Sequence, residues 1–397
     1  MTNPDATRMS AGANQHGVRD HNERLILSMI QRLGPMSGSE IAKQAGLSPQ
    51  TVSVILRYLE TDGVLIKGEP QRGRVGKPST PMALSPDAAF AVGLKIGRRS
   101  ADFVLTDIMG NIRSKAQIAY GFPQPPPILD FLKTHLAQAN VQLGLRKSER
   151  LAGIGIAMPF EIWNWHDAIG APPGSLSRWQ GFDLIDAISD FTGVPVFIEN
   201  DATAACRAEL SFGHGRELQN FAYFYLGSFI GGGLVLNGSV YDGANGNAGA
   251  FGSLPASVAG EPDRQLIDAA SIYLLEDRLG RMGIPHDRLW AAPLDWSGFE
   301  EPVADWIADT ARHLARSALT VCAVIDFEAI VIDGAFPADV KERLVERTRT
   351  ELGNLDSRGI IRPRIEEGLV GPSARALGAS SAPILASFFL RPGGLNV

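Results

Sequence analysis

The stretches AVGLKIGRRSADFVLTDIMGNI at residues 91–112 and AYFYLGSFIGGGLVLNGSV at residues 222–240 decide how this chain folds. Each contains two strand-like apolar segments joined by a basic or Gly-rich turn. Each then continues into a second hairpin turn, which in the later stretch is Asn237-Gly238. Such a duplication predicts two similar lobes with a cleft between them. Because clefts of this kind bind ligands, the cleft is the first candidate site.

Beyond Pro86 the chain alternates strand and helix patterns, which is typical of an α/β fold. We predict strands at 89–94, 101–106, 151–157, 194–198, 221–226, 232–236 and 329–332. Helical patterns lie between them, for example at 128–143, 184–192, 202–210 and 302–324.

Residues 19–85 have a different pattern, that of three short helices followed by a small hairpin. The first helix ends at Gly34-Pro35, Ser37 or Ser39 caps the second, and Ser48-Pro49 opens the third. Three helices joined by a Gly-containing turn indicate a helix-turn-helix, whose last helix fits a DNA major groove. The residues that this helix would present to DNA are Ser48, Gln50, Thr51, Ser53 and Arg57.

The segment after the third helix indicates a wing. A strand at 64–66 leads into the loop QRGRVGKPSTP at 71–81 and returns through residues 82–84. A basic loop between two strands contacts phosphates or the minor groove, and its candidate residues are Arg72, Arg74 and Lys77. The alternative is an ordinary three-helix bundle with solvated arginines. We therefore divide the chain into an arm at 1–18, a winged helix-turn-helix at 19–85 and an α/β domain at 86–397.

Composition excludes several classes of protein. With 45% hydrophobic and 20% charged residues, the chain is neither disordered nor fibrous. It shows neither a membrane span nor a signal peptide, and its two cysteines have no zinc-site spacing, so we expect a cytoplasmic protein. Residues 1–85 carry ten Lys/Arg and seven Asp/Glu, whereas the remainder is strongly acidic. A basic N-terminal segment ahead of an acidic remainder indicates a nucleic-acid-binding module joined to a domain of another kind.

Several motifs together resemble the ROK family (repressor, open reading frame, kinase) of sugar-responsive regulators and sugar kinases. They are RDHNERLIL at 19–27, GRVGKPSTP at 73–81, ENDATAA at 199–205, LGSFIGGGLVLNG at 226–238 and GNAG at 246–249. The resemblance implies a two-lobed actin-like ATPase fold. The smaller lobe would comprise about 86–200 plus a C-terminal helix at 380–397, and the larger lobe about 201–379. Family repressors have the DNA-binding module, which the sugar kinases generally lack.

The resemblance also locates two phosphate loops, and both depart from the kinase pattern. In the first, Lys95 stands where family kinases have the carboxylate that organises Mg²⁺, and basic residues follow Gly97, beginning with Arg98. We therefore expect ATP-Mg²⁺ to be badly held. The second loop keeps Gly231, Gly232 and Gly233, which form either a tight β-turn or a phosphate cradle.

Asp201 matches the family's catalytic base, and Asn200 matches an amide that binds sugar hydroxyls. The alternative is that one of them simply caps the helix that starts at Ala202. We treat Asp201 as a vestigial base and both residues as ligand-binding candidates.

The sugar-binding segment keeps Asn247 and Gly249, but Ala250 and Ser253 replace the family's sugar-binding Glu and its zinc-binding His. No cysteine lies in the zinc region, so we expect no zinc. Glu161 and Trp163 in MPFEIWNWHD (158–167) could supply replacement ligand contacts, although the tryptophans could equally belong to the core.

We therefore expect a regulator, most readily a repressor, that binds a two-fold operator in double-stranded DNA as a homodimer or homotetramer. A degenerate sugar-kinase domain would sense a carbohydrate-like effector, without cofactor, catalysis or membrane. One alternative is an active kinase that phosphorylates a hexose or amino sugar with ATP. Another is a repressor that binds no ligand.

Overall fold

The computed structural model describes residues 15–69, 80–159, 162–165, 171–257, 263–291 and 293–390. The chain forms two compact units. One contains the residues up to Ala88 together with the stretch from Leu385, and the other is Ala89–Ile384. The boundary between the units therefore falls close to the predicted 85/86, but residues from Leu385 group with the N-terminal unit and not with the smaller lobe. Among the described residues, no helix is long and apolar enough to cross a membrane.

The N-terminal unit has three helices and a two-stranded antiparallel sheet: α1 Gln15–Leu33, α2 Gly38–Ala45, α3 Pro49–Thr61, β1 Leu65–Lys67 and β2 Met82–Leu84. Ser37 caps α2 in a capping box with Glu40, and Gly46 ends the helix at a φ of 65°. The winged helix-turn-helix prediction is confirmed in its helices and strands. The wing residues Arg72, Arg74 and Lys77 lie outside the described residues.

Residues near the end of the chain complete this unit. The Arg24 guanidinium donates to the carbonyl of Ala386 at 2.9 Å, and the backbone N–H of Leu390 donates to the Ser28 hydroxyl at 3.0 Å. Both contacts hold α1, and no local pattern in the sequence predicts them.

The smaller lobe of the second unit contains β3 Phe90–Ile96, β4 Ser100–Asp107, β5 Ile112–Ala119, α4 Pro125–Leu143, α5 Leu145–Ser148, β6 Leu151–Met158, α6 Leu184–Ser189 and β7 Val196–Asn200. Its sheet has the order β5-β4-β3-β6-β7. The first three strands pair antiparallel, and β6 and β7 join in parallel.

The larger lobe, which precedes α11 Ala374–Phe388 in the chain, contains α7 Asp201–Phe212, β8 Phe221–Leu226, β9 Ile230–Leu236, β10 Ser239–Tyr241, α8 Tyr273–Arg281, α9 Glu300–Val324, β11 Ala329–Gly334, α10 Ala338–Gly353 and β12 Arg364–Glu367. Its sheet order, β10-β9-β8-β11-β12, repeats that of the smaller lobe. The predicted duplication is therefore confirmed. The C-terminal helix begins at Ala374, earlier than the predicted residue 380, and ends at Phe388.

Helix α11 packs very closely on the smaller-lobe sheet and on α7, because glycines leave room for its backbone. A Cβ atom at Gly93 would lie 2.0 Å from the Ala376 carbonyl oxygen, and one at Gly155 would lie 1.8 Å from that of Ala379. Leu377 of the same helix belongs to the apolar cluster of β8 and β11 in the larger lobe. The start of α11 thus lies between the two sheets, beside the cleft.

Candidate functional site

The third helix of the N-terminal unit presents a polar face. The Ser48 hydroxyl accepts a hydrogen bond from the Thr51 N–H at 3.1 Å and lies 2.8 Å from the Thr51 hydroxyl, so these two groups satisfy each other at the helix start. Gln50, Ser53 and Arg57 are exposed. The buried residues of α3 fix this orientation, and they are Val52, Ile55, Leu56 and Leu59.

A cleft of about 340 Å³ in the two-lobed unit gathers residues that are distant in sequence. It brings together most of the predicted ligand and loop residues, namely Arg98, Asn200, Asp201, Gly231, Gly232, Asn247 and Gly249. Trp163 instead packs against the core of the smaller lobe. Glu161 lies outside the described residues.

Asn200 and Asp201 sit where β7 ends and α7 begins. The Asn200 Oδ1 atom caps the helix, accepting from the N–H groups of Ala202 at 2.9 Å and Thr203 at 3.3 Å. Asn200 is therefore the cap, and because it also lines the cleft, its amide NH₂ is the group that can donate to a ligand.

The Asp201 carboxylate forms an ion pair. Arg375, at the start of α11, donates to Asp201 Oδ2 from 3.1 Å, and the two side chains are only 12% and 14% exposed. The guanidinium also lies 4.9 Å from the Tyr225 ring centroid. Although burial opposes the charge, Tyr225 and Asp201 raise the pKa of Arg375 above its usual value. The sequence did not indicate Arg375, which lies 174 residues from Asp201.

The turns of the two matching hairpins contact each other. The Arg98 guanidinium carbon lies 4.1 Å from the Phe229 ring centroid, and the Phe229 ring packs edge-on against Tyr273. Burial lowers the pKa of Arg98 to about 9, so the group remains charged at neutral pH. An aromatic ring and a guanidinium therefore occupy the space between the two turns.

Lys95 is buried and paired. Its Nζ atom lies 2.8 Å from Asp102 Oδ2 and donates to the Ser100 hydroxyl at 2.9 Å. Burial lowers the pKa of Lys95, while the Asp102 charge acts in the opposite direction. A Cβ at Gly97 would lie 2.5 Å from the Lys95 Cε atom, so Lys95 folds underneath the turn that Gly97 begins.

The three glycines of the second loop do not form a turn, so the tight β-turn, one of the two interpretations left open for Gly231, Gly232 and Gly233, is wrong. They lie inside β9, paired with residues 223–225, and the turn is at 227–229. Close packing accounts for them. A Cβ at Gly232 would lie 2.3 Å from the Phe251 ring, and one at Gly233 would lie 2.5 Å from Cys206 Cβ.

Ala250 and Ser253, the two residues that depart from the family's sugar-binding segment, both line the cleft. Gly249 has a φ of 76°, and a Cβ there would lie 2.6 Å from the Gly233 Cα atom, so this loop packs directly against β9. This packing turns small or apolar side chains toward the cleft at Ala250, Ser253 and Ile267. Among the described residues, no group of three or more His, Cys, Asp or Glu side chains is arranged to hold a metal.

A second cleft of about 620 Å³ adjoins the first, since both are lined by Arg98 and Arg375. Its other cationic lining residues are Lys95, Arg99, Lys115 and Lys341, and Asp102 is its acidic lining residue among those described. Trp290, Leu294 and Phe336 add apolar surface.

Comparisons with known proteins agree with this architecture. Residues 91–265 match the ROK family, and residues 19–66 match the winged helix-turn-helix DNA-binding family. The uncharacterized protein y4fQ of Sinorhizobium fredii is 25% identical over 93% of this chain and 92% of its own length. The xylose repressor of Bacillus subtilis is 27% identical over 61% of this chain, and the match spans 62% of that repressor.

A solved structure extends the comparison to the whole fold. The crystal structure of a ROK family transcriptional regulator, a homologue of the E. coli MLC protein, matches with a TM-score of 0.67 at 18% identity. The match covers 94% of this chain and 97% of that one. The chain therefore combines a domain that matches the ROK family, over residues 91–265, with a winged helix-turn-helix domain ahead of it.

Proposed function

We propose that this protein is a DNA-binding transcription regulator, acting as a repressor, whose two-lobed unit binds a sugar-like effector and does not phosphorylate it. The observation that carries the proposal is a pair of contacts in the cleft. Arg375 holds Asp201, and Arg98 lies against Phe229, in the region that a sugar kinase needs for its base and its phosphates. The relative named xylose repressor supports the regulatory assignment.

On the DNA side, the exposed face of α3 is suited to the major groove. Gln50 can read an adenine edge through its amide, and Ser53 and Arg57 lie on the same exposed face. The wing arginines and lysine supply phosphate contacts, which position the protein on any sequence. A homodimer or homotetramer would place two such helices on a two-fold operator.

Three features argue against phosphoryl transfer. A general base needs a lone pair directed at the substrate hydroxyl, and in Asp201 the permanently charged Arg375 guanidinium already engages Oδ2, which leaves Oδ1 for a ligand. Phosphates bound between two turns need space there, yet Arg98 and Phe229 are in contact. The nearby carboxylate of Asp102 is paired with Lys95 and is not placed to organise Mg²⁺. We propose that ATP-Mg²⁺ is not a cofactor and that zinc is absent.

The cleft is lined by both polar and apolar side chains. Asn200, Asp201, Asn247, Ser253 and Gln265 can hydrogen-bond to a ligand, whereas Ala250 and Ile267 cannot. A ligand with fewer hydroxyl groups than a hexose suits this distribution, because each unmatched buried hydroxyl is unfavourable. Its volume lies at the lower end of the range for small-molecule sites. A pentose is therefore the first candidate for the effector.

The test is operator binding by the full chain. DNA sites are first selected from a random pool, and binding is then measured across a panel of sugars, sugar alcohols and sugar acids. In the Asp201→Ala variant we expect the ligand effect to disappear while DNA affinity without ligand stays near that of wild type. The control is Asp130→Ala, on the exposed surface of α4.

Two outcomes would contradict parts of the proposal. If the Asp201→Ala protein responds to a ligand as wild type does, sensing takes place outside this cleft. If no compound on the panel changes DNA binding in wild type, the alternative of a repressor without ligand replaces the sensor.

An active sugar kinase is the second candidate, because the fold is shared with kinases of the family. The purified protein is incubated with ATP, Mg²⁺ and hexoses or amino sugars, and ADP formation is followed. We expect no sugar-dependent ADP. Sugar-dependent ADP that disappears in Asp201→Asn would establish the kinase instead.

A further inference from the structure

A third pocket, of about 560 Å³, lies among α8, α9 and the end of α10, and it shares no lining residue with the two clefts. We propose that it binds a small phosphate-bearing anion, independently of the sugar-like effector. Its lining is rich in cationic side chains although the two-lobed unit is acidic overall. They are Arg264, Arg278, Arg281, Arg312 and Arg316, and His313 lines the pocket beside them.

The carboxylates of this pocket are already engaged by other groups. Asp309 accepts from both Arg278, at 2.8 Å, and Arg312. Asp268 accepts from the Tyr273 hydroxyl at 3.1 Å, and Glu351 pairs with Arg347, which is not part of the lining. The lining carries five arginines and three carboxylates, and two of the arginines, Arg278 and Arg281, also pair with Asp305 and Asp277 outside it.

One buried hydroxyl of the pocket lining lacks a hydrogen-bond partner. Among the described residues, Thr310 Oγ1 has none, whereas Arg278 Nη1 lies in an ion pair, 3.5 Å from an Asp305 oxygen. Thr310 is fully buried, in the middle of α9. Buried polar groups are nearly always satisfied in folded proteins, so the Thr310 hydroxyl marks a place for a ligand with acceptor oxygens.

His313 reports the local excess of positive charge. Burial, together with Arg264 and Arg312, lowers the pKa of its imidazole, Arg316 acts in the same direction, and Asp309 acts against them. A bound dianion would reverse this effect. Leu274, Leu355 and Trp306 supply an apolar floor. The pocket therefore has room for the organic part of a phosphorylated metabolite.

Phosphate fits these groups better than a carboxylate does. A guanidinium binds phosphate through two parallel hydrogen bonds, and the remaining oxygens can accept from the threonine hydroxyl and a second arginine. The site needs no metal ion, because side-chain cations supply the charge.

The experiment uses the full chain, with inorganic phosphate and pyrophosphate as probes at constant ionic strength. Calorimetry measures binding. NMR of ¹³C-labelled histidine follows the imidazole of His313, assigned with the His313→Gln variant. We expect saturable binding with a millimolar or tighter dissociation constant and a rise in the pKa of His313 as phosphate binds.

Three variants separate binding from folding. Arg316→Gln should weaken binding roughly tenfold, through loss of one charge-assisted hydrogen bond. Thr310→Val keeps the shape, so it should weaken binding without lowering the melting temperature, because its hydroxyl has no acceptor among the described residues. The matched control is Arg343→Gln, an exposed arginine of α10 outside the pocket.

The proposal is overturned if neither probe binds saturably, or if the control variant loses as much affinity as Arg316→Gln. It is also overturned if His313 keeps its pKa while phosphate binds elsewhere. None of these results bears on the sugar-like effector or on DNA binding.

Discussion

Replacing Arg375 by methionine tests the contact on which the proposed absence of kinase activity rests. Methionine keeps an unbranched side chain but removes the guanidinium that donates to Asp201 from 3.1 Å. The carboxylate, whose side chain is 14% exposed, then has no such partner in the cleft. Removing one member of a buried ion pair costs about 3 to 5 kcal/mol. We expect about 2 to 3 kcal/mol here, because Asp201 keeps some contact with water and with the field of Arg98.

A double-mutant cycle isolates the interaction. The Asp201→Asn, Arg375→Met double variant removes both charges, so its free energy of unfolding should lie within about 1 kcal/mol of wild type. Urea unfolding followed by tryptophan fluorescence reports on the two-lobed unit, because all six tryptophans lie between residues 163 and 306. If the single effects instead add to within about 0.5 kcal/mol, the two groups do not interact and Asp201 is not held by Arg375.

Three further predictions concern the wing, the glycine run and the capping box. Replacing Arg72, Arg74 and Lys77 of the wing together by alanine should weaken binding to all DNA sequences. The slope of log K against log salt concentration should become shallower by about 0.9 for each phosphate contact that is lost. An unchanged slope would contradict the wing assignment. Gly232→Ala should lower the free energy of unfolding by about 1 to 3 kcal/mol, since the new Cβ would meet Phe251 and the backbone. The control is Gly193→Ala, because nothing lies within 4 Å of a Cβ at that position. Equal losses of stability in the two variants would refute the packing argument. Hydrogen bonds from Ser37 lower the pKa of Glu40, so this stabilisation is present above the unfolded-state pKa of about 4.3 and is lost as pH falls through the lower folded-state value. Hydrogen exchange of α2 amides between pH 3 and 6 should show this loss in wild type and a flatter profile in Glu40→Gln.

The absence of catalysis, as proposed here, has a simple physical basis. The fold retains the positions of a kinase cleft, but side chains of this chain occupy them. Arg98 and Arg375 line both the cleft that contains Asp201 and the neighbouring cationic cleft, so the same two side chains lie where the two spaces meet. A ligand that hydrogen-bonds to Asp201 would compete with Arg375. Such competition would bias the unit between two states, which is what a sensor requires.

Local signals predicted the N-terminal unit in detail. The serine caps, the left-handed Gly46 and the three-residue connection between α2 and α3 all act within about one helical turn, so a single sequence suffices to place them. The repeated hairpins likewise predicted two matching sheets, because strand and turn patterns are short-range. Lys95, Ala250 and Ser253 could be identified as departures from the family's pattern because each lies within a short motif.

Only the tertiary structure determined what those residues contact. Arg375 reaches Asp201 because α11 passes between the two sheets, and that path depends on glycines in β3 and β6 whose role is invisible without the packed helix. For the run of glycines in β9 the sequence left a turn and a phosphate cradle open, since it does not show that Phe251 and Cys206 pack against these glycines. The arginine-lined pocket for which phosphate binding is proposed lies among three helices, and no sequence motif links those helices. Periodicity and capping depend on neighbours a few residues apart, so the sequence alone determined the elements, their order and the chemical departures from a kinase. Contacts between distant residues depend on how those elements pack, and that packing decided which charges are neutralised and which face a ligand.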